Sequence, residues 1–113
     1  MRDLKLLSAE FEKVLEILRV HLPNLEVRAF GSRVHGENLK PFSDLDLVVM
    51  TQKPLEPGRM AELKEAFTES DLPFKVDVLD WSTTGERFRR VIEGDYVIVQ
   101  KEDERISPGT RTG

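Results

Sequence analysis

Apolar and polar positions alternate with two periods along this chain, and the period changes several times. Leu7, Phe11, Val14, Leu15, Leu18 and Leu22 recur at helical spacing. They predict a helix over Ser8 to Leu22, with Ser8 as N-cap and Pro23 as stop. Glu26 to Phe30 reads as a short strand ending at Gly31, and "DLDLVVM" from Asp44 to Met50 as a second. Met60, Leu63 and Phe67 share one face of a helix over Arg59 to Phe67. "FKVDVLD", Phe74 to Asp80, alternates as a third strand. Thr83 with Glu86 three residues on resembles a capping box opening a helix through Phe88, Val91 and Ile92. "YVIVQ" closes the series as a strand, and "KEDERISPGTRTG" has too few apolar residues for more than a loose tail.

Strands alternating with helices predict an α+β fold of two layers: a small mixed sheet with helices on one face and the other left open. The reading gives one domain over residues 1–100 and a flexible tail over 101–113. Period-two alternation places Leu45, Leu47 and Val49 under the helices. Asp44, Asp46 and Val48 then lie on the open face. By the same rule Phe74, Val76 and Val78 face the core, and Lys75, Asp77 and Leu79 the open side. If the two strands are neighbours, Asp44, Asp46 and Asp77 meet on one surface. Three carboxylates there repel one another unless a cation sits among them.

Hard oxygen ligands favour magnesium, which keeps part of its water shell and is completed by substrate phosphates. Aspartates two apart on a strand have α-carbons roughly 6.5 Å apart. That spacing suits one shared ion, or two ions flanking a phosphorus undergoing in-line displacement. A third carboxylate serves as a further ligand or takes the nucleophile's proton. An isolated Asp-x-Asp at a strand edge is more often a solvated face or a guard against edge pairing. Here, however, a Gly-Ser turn precedes it. Gly31 lets a phosphate approach the backbone, Ser32 offers a hydroxyl and an amide, and Arg33 adds a cation that either meets the phosphate or pairs with a carboxylate. No Gly-Lys-Ser/Thr follows, which excludes a Walker-type loop.

Composition narrows the classes. The chain has 113 residues, 39% hydrophobic and 34% charged, with no cysteine and a net charge of −4. Disulfides and thiolate metal sites are excluded, and the acidic balance argues against direct nucleic acid binding. No apolar run approaches the roughly 18 residues of a membrane span. The N-terminus turns charged too soon for a secretory signal, so a cytoplasmic location is expected. His21 and His35 have no metal-ligand spacing. Arg87, Arg89 and Arg90 read as a solvated helix face, Trp81 as packing over the sheet edge, and Tyr96 as core.

The combined stretch "GSRVHGENLKPFSDLDLVV" with "FKVDVLDW" resembles the minimal nucleotidyltransferases of the DNA polymerase beta superfamily, over nearly the whole chain. The interval between Ser32 and Asp44 is one residue longer than in most relatives, in the "ENLKPF" loop. The resemblance implies that Gly31 and Ser32 hold nucleotide phosphates, and that Asp44 and Asp46 bind two magnesium ions. Asp77 is then ligand or base, and ATP donates AMP to a hydroxyl. It further implies a small all-helical HEPN-type partner, neutralised by adenylylation of a tyrosine. Two other functions fit the same chain: an antitoxin that blocks its partner by contact alone, and transfer to a small molecule. For the latter the chain carries no added acceptor domain.

Overall fold

The computed structural model describes residues 4–36 and 39–102. Helix α1 spans Ser8–His21, strand β1 Val27–Phe30, the short helix α2 Ser32–His35 and strand β2 Leu45–Val49. Helix α3 spans Pro57–Glu69, β3 Val76–Asp80, α4 Glu86–Gly94 and β4 Tyr96–Gln100. The strands form one mixed sheet in the order β3-β2-β1-β4. β1 is antiparallel to β2 and to β4, while β2 and β3 run parallel. That parallel pair needs a crossover, which α3 supplies. The predicted tail lies almost wholly outside the described residues, of which Lys101 and Glu102 are the last. No helix among the described residues is long and apolar enough to cross a membrane.

One face of the sheet carries the main core. Val14, Leu18 and Leu22 from the first helical segment, and Leu63 and Phe67 from α3, pack on Val27, Ala29, Leu45, Leu47, Val49 and Val78. Each fully buried leucine contributes about 1.5–3 kcal/mol by leaving water. This stripe therefore fixes which face of each strand is inward, and with it the direction of the aspartates.

The α+β fold with its small mixed sheet is as expected, and the opposite face stays open around the aspartates while α4 adds cover at one end of it. Phe30, Val48 and Ile92 form a second, smaller buried cluster, flanked by Met50, Leu79, Trp81 and Tyr96. Helix α4 lies over this end of the face because Val48 and Phe30 are apolar and need cover. Two local signals also read differently. Helix α1 is entered through Leu7, whose N–H donates to the Glu10 carboxylate at 2.9 Å, so Ser8 is the first helical residue and no cap. Thr83 closes a 3₁₀ turn, its hydroxyl donating to the Asp80 carbonyl, and Gly85 is the N-cap of α4.

Candidate active site

β1 ends at Phe30 and the chain turns at Gly31 with φ 84° and ψ −155°. This region is essentially closed to residues with a side chain. Gly31 then caps α2, whose Val34 and His35 amides donate to the Gly31 carbonyl at 2.9 and 3.1 Å. The amides of Ser32 and Arg33 precede these and are among the first N–H groups that a helix start leaves without an intrahelical acceptor. A β-carbon on Gly31 would overlap a carboxylate oxygen of Asp46, with that residue's Cγ only 3.3 Å away. The glycine is needed twice, for the turn and for the space Asp46 fills.

β2 and β3 are neighbours, and in their register Asp46 stands opposite Asp77. Phe30 stands opposite Asp46 on the other side. Because Leu45, Leu47 and Val78 are in the main core, Asp46 and Asp77 emerge together on the α4 side. Asp77 has a side chain 44% exposed, with the Lys75 ammonium 3.6 Å away. Asp44 lies exposed just before β2, close enough for its charge to act on Asp46. Burial, together with the charges of Asp77 and Asp44, pushes the Asp46 carboxyl up to about 6. Among the described residues, no three acidic or imidazole groups are drawn into a closed metal cage. Carboxylate oxygens gathered on one surface are the donor type that hard divalent cations take, with Lys75 the cation nearest Asp77.

Arg33 departs from the expectation that it meets a phosphate. Its side chain is buried at 5% exposure. Nε donates to the Ser43 carbonyl at 2.8 Å, Nη1 to that of Lys5 at 2.9 Å and Nη2 to that of Pro41 at 2.9 Å. Its guanidinium also stacks 4.1 Å from the Phe74 ring centroid. It is a clamp that ties the entering chain and the loop before Asp44 to the sheet, and it acts on the site by fixing that loop.

Arg89 is no solvated charge: Nε and Nη2 donate to the Trp81 carbonyl at 3.1 and 2.8 Å, and the guanidinium lies over the indole. Arg87 and Arg90 are exposed. Tyr96 is partly buried beneath the Arg28 guanidinium. Asp80, unremarked in the sequence reading, is a buried hub at the far end of β3. It accepts from the Thr51 hydroxyl, from the Leu55 amide at 2.7 Å, and from the Ser82 amide and hydroxyl at 3.0 and 2.6 Å. Burial alone would raise its pKa, but the bonds from Ser82, Thr51 and Leu55 outweigh that and hold it below the usual carboxylate range. One signal was present: on a strand whose even positions face the core, an aspartate at position 80 demands partners.

Residues 11–107 match the nucleotidyltransferase domain family. The chain is 45% identical over 108 residues to the probable protein adenylyltransferase MntA of Haemophilus influenzae, covering 96% of this chain and 94% of that one. Its fold superposes on a chain in the crystal structure of a toxin–antitoxin complex with AMP-PNP. There the TM-score is 0.66 at 22% identity, with 84% of this chain and 76% of that one covered. It also resembles a chain in the structure of a tri-AMPylated HEPN toxin of Shewanella oneidensis bound to its MNT antitoxin, with a TM-score of 0.62 at 19% identity over 87% and 75% of the two chains.

Proposed function

We propose, since this chain belongs to the nucleotidyltransferase domain family, that it transfers AMP from ATP to a tyrosine hydroxyl of a helical, HEPN-type protein partner, as an antitoxin. The single observation that carries this reading is the register of β2 and β3, which sets Asp46 beside Asp77 next to the Gly31 turn.

In this reading each residue has a separable task. Asp44 and Asp46 would hold magnesium, which would offset the charge of the triphosphate and polarise the phosphorus under attack. The Gly31–Ser32 turn receives the phosphates that leave as pyrophosphate. Asp77, the more exposed partner of Asp46, orients the acceptor hydroxyl and takes its proton. The acceptor oxygen forms a bond to the α-phosphorus while the bond to the bridging oxygen of the β-phosphate breaks. Pyrophosphate departs with that electron pair.

Neutralisation by contact without chemistry has one observation in its favour. Phe42, 72% exposed, and Leu7 stand out from the surface beside the Arg33 clamp, as residues of a docking surface would. Intact-mass spectrometry separates the two. The partner protein, incubated with this chain, ATP and magnesium, gains the mass of one or more AMP groups if the enzyme reading holds. A partner that is neutralised with unchanged mass, equally by the Asp46→Asn protein, supports contact alone.

A further inference from the structure

Phe88 sits on α4 one turn before the buried Ile92, on the same side of the helix, yet its side chain is 41% exposed. Its ring packs edge-to-face on Phe30, with centroids 5.7 Å apart and planes at 79°. Such a contact leaves at least one face of the Phe88 ring unused by Phe30. The same residue lines a cleft of about 580 Å³ with Phe30, Leu79, Asp46, Asp77 and Lys75. That volume lies within the range of small-molecule sites.

The direction of the reaction, on the reading above, decides what that ring meets. In-line displacement sets the leaving group and the attacking oxygen on opposite sides of the phosphorus. With the leaving phosphates at the Gly31 turn after β1 and the acceptor at Asp77 on β3, that line runs across the strands through Asp46. The nucleoside must then depart at an angle to the line, along the strands. Toward Val48 and Leu79 the sheet face is apolar and walled by α4; toward Asp44 it ends in an exposed loop. The flat π-face of a base, poorly hydrated while its polar edges stay toward water, gains most by lying on the first of these.

We infer that Phe88 is the platform on which the nucleobase of the bound nucleotide stacks, with Phe30 as its edge-on support. Stacking on an aromatic side chain is worth roughly five- to a hundredfold in affinity by truncation, and it tolerates any base. Phe88 therefore contributes affinity for nucleotides generally and little choice between adenine and guanine.

The test is calorimetric titration of the intact chain, with magnesium, using AMP-PNP and inorganic tripolyphosphate as paired probes. Phe88→Leu keeps an apolar side chain on Phe30 but removes the flat ring; Phe88→Trp restores one. The expected result is AMP-PNP binding weakened roughly five- to a hundredfold in Phe88→Leu and recovered in Phe88→Trp, with tripolyphosphate binding unchanged in both. Equal AMP-PNP affinity in wild type and Phe88→Leu overturns the platform, as does parallel weakening of both probes. So does a loss confined to transfer onto the protein acceptor at saturating ATP, which would assign the ring to the acceptor. Wild-type protein that binds neither probe overturns the nucleotide site itself, a failure distinct from that of Phe88.

Discussion

The carboxylate of Asp46 fills the space that a side chain on Gly31 would need. The Gly31 turn and the acidic strand are thus one unit: the turn can adopt its positive φ only as glycine, and the carboxylate can reach the turn only because no β-carbon intervenes. Gly31→Ala strains the backbone and displaces Asp46 together. It is expected to cost about 1–3 kcal/mol in urea unfolding and to abolish measurable AMP transfer. An alanine protein with wild-type transfer would break the link between turn and carboxylate.

The Asp46 pKa gives a pH signature. Raised from 3.8 to about 6, it makes the folded chain bind more protons than the unfolded one between those values. Without metal, stability therefore falls as pH rises through that window, by on the order of 2 kcal/mol once solvent screening is allowed for. Magnesium is expected to restore that loss above pH 6 with release of protons, and Asp46→Asn to remove both effects. Denaturant midpoints across pH, with and without magnesium, measure this directly.

Asp80 works in the opposite sense. Its pKa is held low, so the stability it contributes is present above the usual carboxylate range and disappears as pH falls. Asp80→Ala leaves the Leu55 amide without its acceptor, takes from the Ser82 amide one of its two acceptors, the Thr51 hydroxyl remaining at 3.1 Å, and is expected to cost roughly 2–4 kcal/mol. In conditions where the variant remains folded, its affinity for AMP-PNP should match wild type, because Asp80 lies at the far end of β3 from the site.

Arg33→Ala removes three hydrogen bonds to main-chain carbonyls and a stack on Phe74. A loss of about 2–4 kcal/mol in urea unfolding is expected. Arg33→Lys should recover little, since an ammonium cannot reproduce the planar fork. Tripolyphosphate affinity in the folded variant should fall by no more than about tenfold, through the loosened loop before Asp44; a loss beyond about a hundredfold would return Arg33 to the phosphate site.

Much of this site was legible because strand alternation is a strict rule. The core positions Leu45, Leu47 and Val78 dictate where Asp46 and Asp77 point, and the parallel pairing then sets them side by side. The role of Arg33 was not legible, because its partners are main-chain carbonyls of residues brought together by folding, and carbonyls carry no residue identity. The cover provided by α4 was half legible. Val48 shares the aspartates' face, and a valine there is a request for burial that a bare sheet face does not meet. Thr83 misled for a plainer reason: a threonine hydroxyl bonds a preceding carbonyl as readily as it caps a helix, and here Asp80 was nearer.

The most direct measurement follows label from ATP carrying a marked α-phosphate onto the helical partner, using wild-type and Asp46→Asn proteins at equal concentration. Labelled partner is expected with wild type, dependent on magnesium, and a rate at least about a hundredfold lower with Asp46→Asn. Equal labelling by the two proteins would contradict this.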